Sequence, residues 1–263
     1  MTASFPAHVT IDLAPPRRRV DWSSVALAAG SLLAAAGFAW PFFAPALPQD
    51  AQRAAPYLVV ALVPAVVAAL ALALDARFAS AKAVALLGVL GAVGAAARVL
   101  GDTAGGIEPV FIVLILAGRA FGARFGFLLG LVVVGVSAVI TGGIGPWLPF
   151  QLFACAWVGA GAALLPRVRG KLGEVVLLAA YGALASWLVG ALLNLWFWPF
   201  ALDAGTSISY SAHATLSANL KAYALYSLAT STLTWDTVRA ITTVVGIALI
   251  GRPVLAALRR AKL

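Results

Sequence analysis

The chain has 263 residues, of which 63% are hydrophobic and only 10% are charged. Soluble domains are roughly 45–50% apolar and about 25% charged. The composition therefore excludes a soluble enzyme, a disordered tail and a disulfide scaffold, and it indicates an all-α polytopic membrane protein. The net charge of +9 would suggest a nucleic-acid partner in a soluble protein. Here the positions of the charges matter more than their sum, and no nucleic-acid partner is expected.

Crossing a bilayer core of about 30 Å takes roughly 20 apolar helical residues. The fourth apolar stretch is too short to cross unaided, and Pro109 is tolerated in its first turn. The eight predicted spans are Trp22–Ala44, Pro56–Leu74, Lys82–Leu100, Glu108–Phe121, Ala123–Thr141, Trp147–Leu165, Gly173–Trp198 and Trp235–Ile250.

The basic residues predict the orientation of these spans. Cytoplasmic loops of membrane proteins carry an excess of Lys and Arg, and with an inside N-terminus every inner boundary is basic. We therefore expect a multi-pass protein of the cell membrane with both termini in the cytoplasm and no secretory signal. Fourteen of the 18 basic residues fall inside: Arg17, Arg18, Arg19, Arg77, Lys82, Arg119, Arg124, Arg167, Arg169, Lys171, Arg252, Arg259, Arg260 and Lys262.

The chain divides into three predicted parts. Residues 1–21 form a basic cytoplasmic tail, residues 22–78 hold two N-terminal transmembrane helices, and residues 79–263 hold spans three to eight with most of the intramembrane polar groups. No internal repeat is evident, which weighs against the inverted-repeat secondary transporters. In the longest outer segment, His213–Ser231 has the composition of a helix that lies on the surface or dips into the protein.

Five charged residues collect near the outer ends of the spans, namely Arg98, Asp102, Glu108, Asp236 and Arg239. Asp236 and Arg239 are three apart and so share one helical face. Charged groups in a membrane usually line a cavity, and this asymmetry predicts a polar pocket that opens outward. The alternative is that these side chains snorkel to water and form salt bridges between helix ends.

Further polar and aromatic residues lie at the same end. The amide of Asn194, inside span seven, needs a partner on a neighbouring helix or a ligand. Trp198 is either an interfacial aromatic or a stacking surface for a ring-bearing ligand. Gln151 lies one turn after Trp147 in span six, so both are expected to face the same cavity.

Several kinds of catalytic and metal site are excluded by inventory. The single cysteine, Cys155, excludes an intramolecular disulfide and a Cys-based zinc cluster, and it is interpreted as a small core residue. His8 and His213 are too far apart for a metal site. The chain has no phosphate-loop, nucleophile-elbow or H-E-x-x-H motif. We therefore expect a protein that is not an enzyme and has no cofactor and no metal.

Four segments resemble the substrate-binding S component of energy-coupling factor (ECF) vitamin transporters, and Gly-Pro-Trp-Leu-Pro-Phe-Gln is the most specific run. The resemblance covers residues 79–263 and implies a six-helix core. The segments are Gly105–Phe111, Gly118–Gly122, Gly142–Gln151 and Trp157–Gly159.

The resemblance implies partners as well as a fold. An S component captures a vitamin or its precursor at the outer face and works with a membrane coupling subunit and two cassette ATPases. An Ala-x-x-x-Ala motif in the first core helix contacts the coupling subunit, and the matching pairs are Ala81/Ala85 or Ala79/Ala83. Small residues at this spacing let helices approach closely, so ordinary internal packing is the alternative.

The ligand is less sharply implied. The Asn-Leu-Trp-Phe-Trp-Pro pattern at 194–199 looks most like the cobalamin group, and a large corrinoid suits the long outer loop with Tyr210. Riboflavin, thiamin-like pyrimidines, queuosine precursors and other small heterocycles are alternatives. For any such ligand, polar contacts are expected from Glu108, Gln151, Asn194 and Arg239, with stacking by Trp147, Trp198 and Tyr210.

Two other functions remain open from the sequence. A proton-coupled secondary transporter needs a titratable group at mid-membrane, but the acidic residues of the predicted spans all sit near span ends. A membrane enzyme acting on lipid or isoprenoid phosphates would use Asp102, Glu108 and Asp236 to bind a metal, but no D-x-x-x-D pair lies in a predicted helix.

Overall fold

The computed structural model describes residues 22–43, 80–103, 107–202 and 205–261, together with single positions between 57 and 67. All regular structure in these ranges is helical. A π-helix spans Leu228–Asp236. The α-helices are α1 (Trp22–Phe38), α2 (Trp40–Phe43), α3 (Ala81–Thr103), α4 (Val110–Phe121), α5 (Ala123–Thr141), α6 (Leu148–Leu164), α7 (Lys171–Ala201), α8 (Leu216–Ser227) and α9 (Thr237–Arg260).

Four helical runs are long and apolar enough to cross a membrane: Ala81–Gly101, Ala123–Thr141, Leu172–Ala201 and Leu216–Arg260. They match the third, fifth, seventh and eighth predicted spans. The fourth and sixth predicted spans form shorter apolar helices, α4 and α6. The predicted tail lies outside the described residues, and so does nearly all of the second span. The described chain is thus an all-helical, multi-pass membrane protein.

The outward faces of the helices are apolar, as a lipid solvent requires. Leu32, Val139, Leu164 and Leu249 are each at least 72% exposed. Soluble proteins rarely expose large contiguous apolar patches. In a bilayer the surrounding hydrocarbon tails are themselves apolar, so such side chains can be exposed to them. These faces therefore identify the surface that contacts the bilayer.

Helix α4 is the central element of the bundle. Its 12 residues give a length of about 18 Å, which is too short to cross a bilayer core, as predicted. It packs against α3, α5, α6, α7 and α9, and Leu114, Ile115 and Leu116 are at most 1% exposed. A helix that is apolar on all sides is stable only when it is buried on all sides.

Glycines allow α4, α5 and α6 to pack closely. A Cβ atom added to Gly118 would overlap the carbonyl oxygen of Gly159, and one added to Gly126 would do the same. A Cβ on Gly159 would overlap the backbone of Gly126 in turn. Small residues at membrane-helix contacts allow backbones to approach and gain van der Waals contact.

The N-terminal helix packs on this bundle. Phe38 lies edge-on to Phe150, with ring centroids 4.9 Å apart, and Trp157 donates a hydrogen bond from Nε1 to Ser31 Oγ at 3.1 Å. The first predicted span is wrong in its extent, because the α-helix ends at Phe38 and the short helix α2 follows it. Pro41 in α2 cannot donate the backbone hydrogen bond that a continuous helix needs at that position.

The long outer segment carries a helix, which confirms the prediction for that segment. The Thr215 hydroxyl caps α8 by accepting a hydrogen bond from the Ala218 amide at 3.3 Å. Asn219 fastens the preceding loop, because its Nδ2 donates to the Ser211 carbonyl at 2.8 Å and its Oδ1 accepts from the Ser211 amide. Helix α9 then begins at Thr237, two residues after the predicted start.

We call the end of the bundle where α3 ends and α4 begins the outer end, after the predicted orientation. The opposite end, where α4 ends and α7 begins, is the inner end.

Candidate functional site

Four of the predicted site residues converge on one cavity of about 100 Å³ at the outer end. Arg98 comes from α3, Glu108 from the segment before α4, Gln151 from α6 and Arg239 from α9. Phe111, Cys155 and neighbouring apolar side chains complete the lining. We call this space the outer cavity.

Arg98 is held by two neutral acceptors. Its Nη1 donates to Ser137 Oγ and its Nη2 donates to Gln151 Oε1, each at 2.9 Å. Ser137 is fully buried and donates in turn to the Val134 carbonyl at 3.0 Å. A guanidinium has five N–H donors, and these two contacts use two of them. The other donors of Arg98 have no hydrogen-bond partner among the described residues, and Arg98 lines the cavity.

Arg239 lies between two carboxylates. Its Nη2 donates to Asp236 Oδ1 at 2.9 Å, and its Nε is 3.1 Å from Glu108 Oε2, at an angle outside hydrogen-bond geometry. Its Nη1 donates to the Ser186 carbonyl at 3.3 Å. The guanidinium carbon also lies 5.4 Å from the centre of the Phe111 ring, a cation–π contact. The predicted shared face of Asp236 and Arg239 is confirmed by their ion pair.

Asp236 is fully buried, and both of its carboxylate oxygens accept hydrogen bonds. Oδ1 accepts from Arg239, and Oδ2 accepts from Ser231 Oγ at 2.5 Å. Ser231 lies five residues earlier, a spacing that the i to i+5 winding of the π-helix brings onto one face. A Cβ on Gly190 of α7 would overlap the carboxylate, so this position accepts only glycine without rearrangement.

The chemistry of the outer cavity follows from this arrangement. Arg98 offers donors, Gln151 offers an amide, and Glu108 is 30% exposed on its side chain and offers carboxylate oxygens. Arg239 is buried, forms an ion pair with Asp236 and lies next to Glu108. The lining of the outer cavity therefore carries both hydrogen-bond donors and hydrogen-bond acceptors.

Asn194, Trp198 and Tyr210 do not line the outer cavity. Asn194 Nδ2 donates to Ser227 Oγ of α8 at 3.2 Å, so its partner is a neighbouring helix. Trp198 is fully buried, and its Nε1 donates to the Ile208 carbonyl at 2.8 Å. The structure places these residues in a packing cluster between α7, α8 and the outer loop, in place of the predicted ligand contacts.

Tyr210 belongs to the same cluster, with its ring centroid 5.4 Å from that of Trp198. Its hydroxyl is buried and has no hydrogen-bond partner within the described part of the chain. Burial raises the pKa of this hydroxyl, so it stays protonated at neutral pH.

Trp147 and Gln151 line different cavities, so the prediction that they share one is wrong. Trp147 precedes α6, and its Nε1 donates back to the Gly143 carbonyl at 3.3 Å, which folds the ring over the turn. It lines an apolar space of about 400 Å³, the aromatic cavity. Phe150 stacks on Trp196 in its wall, with centroids 5.0 Å apart. The other residues of its lining include Trp40, Tyr57, Phe197 and Phe200.

Two groups of predicted site residues are only partly described. Asp102 lies in the last turn of α3, but its side chain is outside the described residues, and Ala79 is outside them altogether. Ala81 and Ala85 are exposed at the inner end of α3, whereas Ala83 is 4% exposed. Of the two candidate alanine pairs, Ala81/Ala85 therefore faces away from the bundle.

Three residues of the site escaped the sequence-based predictions: Ser137, Phe111 and Ser231. Ser137 is a hydroxyl near the outer end of an otherwise apolar span, which is a usable signal. Ser231 belongs to a hydroxyl-rich run, Thr230 to Thr234, which ends two residues before Asp236. Phe111 had no signal, because a ring in an apolar helix is expected to be core.

No group of three His, Cys, Asp or Glu side chains that could hold a metal ion occurs among the described residues. The site is thus a cavity lined by arginine, amide and carboxylate groups. Comparison with protein-family models, curated proteins and solved structures finds no match to this chain.

Proposed function

We propose that the chain is the substrate-binding membrane subunit of an ECF-type importer, which captures a vitamin or precursor at the outer face. The observation that carries the proposal is the outer cavity. Arg98, Glu108, Gln151 and Arg239 come from four separate segments of the chain and line one space. Polar groups that are costly in hydrocarbon and converge on a cavity are the usual mark of a membrane substrate site.

The volume of the outer cavity favours small candidate ligands over large ones. Sites for drug-sized ligands occupy roughly 300–1,000 Å³, whereas this cavity holds about 100 Å³. We therefore place small heterocycles, such as thiamin-like pyrimidines, before the corrinoid that the residue pattern suggested. A corrinoid would enter only if the outer ends of the helices separated.

The energy for uptake would come from partner subunits, because the sequence has no phosphate-binding loop for ATP. We propose that a coupling subunit docks on the inner end of α3, where Ala81 and Ala85 are exposed. Small side chains there permit the close helix approach that a membrane interface requires. Two cassette ATPases would complete the assembly on the cytoplasmic side.

Ligand binding by the purified protein is the direct test. Calorimetry with thiamin, riboflavin and cobalamin should detect at least one ligand with a Kd below micromolar. Uptake by cells should then require ATP and the partner ATPases. Failure of every water-soluble vitamin or precursor to bind below micromolar would overturn the proposal.

Substituting Gln151 by alanine should weaken ligand binding about 5- to 150-fold, because a buried hydrogen-bonding group is worth about 1–3 kcal/mol. Gln151 Oε1 accepts from Arg98, so its loss also frees the arginine that lines the cavity. The matched control is Asn194→Ala, which removes an amide that lies outside the cavity. Titration calorimetry should give the control variant an affinity within twofold of wild type. Equal losses in both variants would remove Gln151 from the site.

A secondary transporter is the second candidate, and Asp236 is the observation that favours it. A fully buried carboxylate paired with Arg239 resembles the ion pairs that line proton pathways. Proteoliposomes that contain only this protein distinguish the two functions. Accumulation of ligand driven by a pH gradient, without any ATPase, would establish the second candidate over the first.

A further inference from the structure

A second polar cavity lies at the inner end and has no part in the function proposed above. Its volume is about 640 Å³. It is bordered by the α4–α5 turn, the α6–α7 loop, the first turn of α7 and the last turn of α9. We call it the inner cavity. The charged residues that line it are Arg119, Arg167, Arg259 and Glu174, so the lining carries a net charge of +2.

Hydrogen bonds hold Arg119, Arg259 and Glu174 in place in the wall of the inner cavity. The Arg119 side chain is 7% exposed, and its Nη1 and Nη2 donate to the carbonyls of Leu165 and Pro166 at 2.7 and 3.0 Å. Its Nε donates to Glu174 Oε1 at 2.9 Å. Arg259 donates to both oxygens of Glu174, at 2.9 and 2.6 Å. One carboxylate thus fixes two guanidinium groups in place and neutralises only one of them.

Arg167 supplies a positive charge that no described acidic side chain pairs with. It is exposed on the α6–α7 loop, and no acidic side chain of the described residues lies within salt-bridge distance of it. Bidentate recognition of phosphate is a common use of arginine. Arg167 is therefore available to a ligand that enters the cavity above Arg119 and Arg259.

The start of α5 adds to the attraction for an anion. Gly122, at φ 98°, lines the cavity and precedes the first residue of α5, and no side chain caps this helix. The first backbone N–H groups of a helix have no partner within it, and they form the positive end of the helix dipole. Such a terminus beside three arginines favours a phosphate group.

Apolar side chains flank the inner cavity. Leu164, Leu172 and Val168 are 77%, 64% and 45% exposed, so the cavity borders the surface that contacts lipid tails. The positive-inside pattern predicts that this end faces the cytoplasm, where the leaflet is anionic. Basic pockets between membrane helices on that side can bind acidic headgroups.

We propose that the inner cavity binds a phosphate group, supplied by the headgroup of an anionic phospholipid of the inner leaflet. The phosphate would lie between Arg167 and Arg259, above the Arg119–Glu174 pair. The acyl chains would run along the exposed leucines at the cavity edge. The site would thereby tie the α4–α5 turn, the α6–α7 loop and the end of α9 to one lipid.

Native mass spectrometry of the full chain in detergent can test this. Phosphatidylglycerol should bind at least tenfold tighter than phosphatidylcholine, whose headgroup has no net charge. Arg167→Ala should weaken phosphatidylglycerol binding about fivefold, the loss expected for one surface arginine. The matched control is Arg169→Ala, which removes the same charge from the same loop but outside the cavity. It should change the affinity by less than twofold.

The source of the phosphate is decided by a further titration with inorganic phosphate. If phosphatidylglycerol alone binds, the lipid headgroup is the ligand. If inorganic phosphate binds with the same dependence on Arg167 and phosphatidylglycerol does not, the phosphate site stands and the headgroup source is overturned. Equal binding of the two lipids, or equal losses in the Arg167 and Arg169 variants, overturns the site itself.

Discussion

Replacing Arg239 by alanine is expected to destabilise the protein by about 3–5 kcal/mol, the cost of breaking a buried ion pair by removing one partner. Asp236 is fully buried and would keep only the Ser231 hydroxyl as a described partner. Glu108 would lose its described ion-pair partner as well. Unfolding in detergent micelles, followed by circular dichroism against denaturant, measures the loss.

The control for this prediction is a pair of variants. Lys221→Ala removes an exposed charge from α8 and should change stability by no more than about 0.5 kcal/mol. The double variant Asp236→Ala/Arg239→Ala should recover part of the loss, because no uncompensated charge then stays buried. If the single Arg239 variant unfolds at the same denaturant concentration as Lys221→Ala, the ion pair does not stabilise the fold.

The location of Arg98 and Gln151 at the same end of the bundle illustrates what could be predicted from sequence. A charge or an amide in hydrocarbon must find a partner, and the span boundaries place both groups at the same end of the bundle. Depth in the membrane is therefore available from hydropathy and charge alone. The same reasoning placed Glu108 and Arg239 together, which is the larger part of the outer cavity.

Which neighbours each side chain contacts at a given depth in the membrane could not be predicted. Trp147 folds back over its own turn, and Asn194 turns to α8, because the rotation of each helix about its axis depends on packing with its neighbours. The contact between Ser231 and Asp236 depends on a π-helix, and no propensity argument applied to the hydroxyl-rich run predicts one. Tertiary contacts determine these side-chain positions and the π-helix, and hydropathy carries no information about tertiary contacts.

The two polar cavities lie at opposite ends of a solid apolar layer. Leu114, Ile115 and Leu116 of α4 are at most 1% exposed, and they fill the centre of the described bundle. Within the described bundle, this buried layer separates the outer cavity from the inner end. Under the proposed function, release at the inner end would therefore require relative movement of helices.

That closed layer depends on the contact of Gly159 with Gly126 and Gly118, and Gly159→Val should destabilise the protein by about 3 kcal/mol or more. Overpacking a core typically costs about 1–3 kcal/mol. Here the added atoms would meet backbone, which cannot turn aside as a flexible side chain does. Helices α5 and α6 would have to separate, opening the layer around α4. Denaturant unfolding in micelles gives the size of the effect.

Gly135→Val is the matched control, because it makes the same change in α5 at a position where an added Cβ has no atom within 4 Å. Since valine has a better helix propensity than glycine, this variant should be as stable as wild type or slightly more so. Gly159→Ala should fall between the two, because it adds one carbon against the same backbone. A graded loss at 159 beside none at 135 would establish backbone contact as the cause. Equal stability of the two valine variants would instead mean that α5 and α6 do not pack through their glycines.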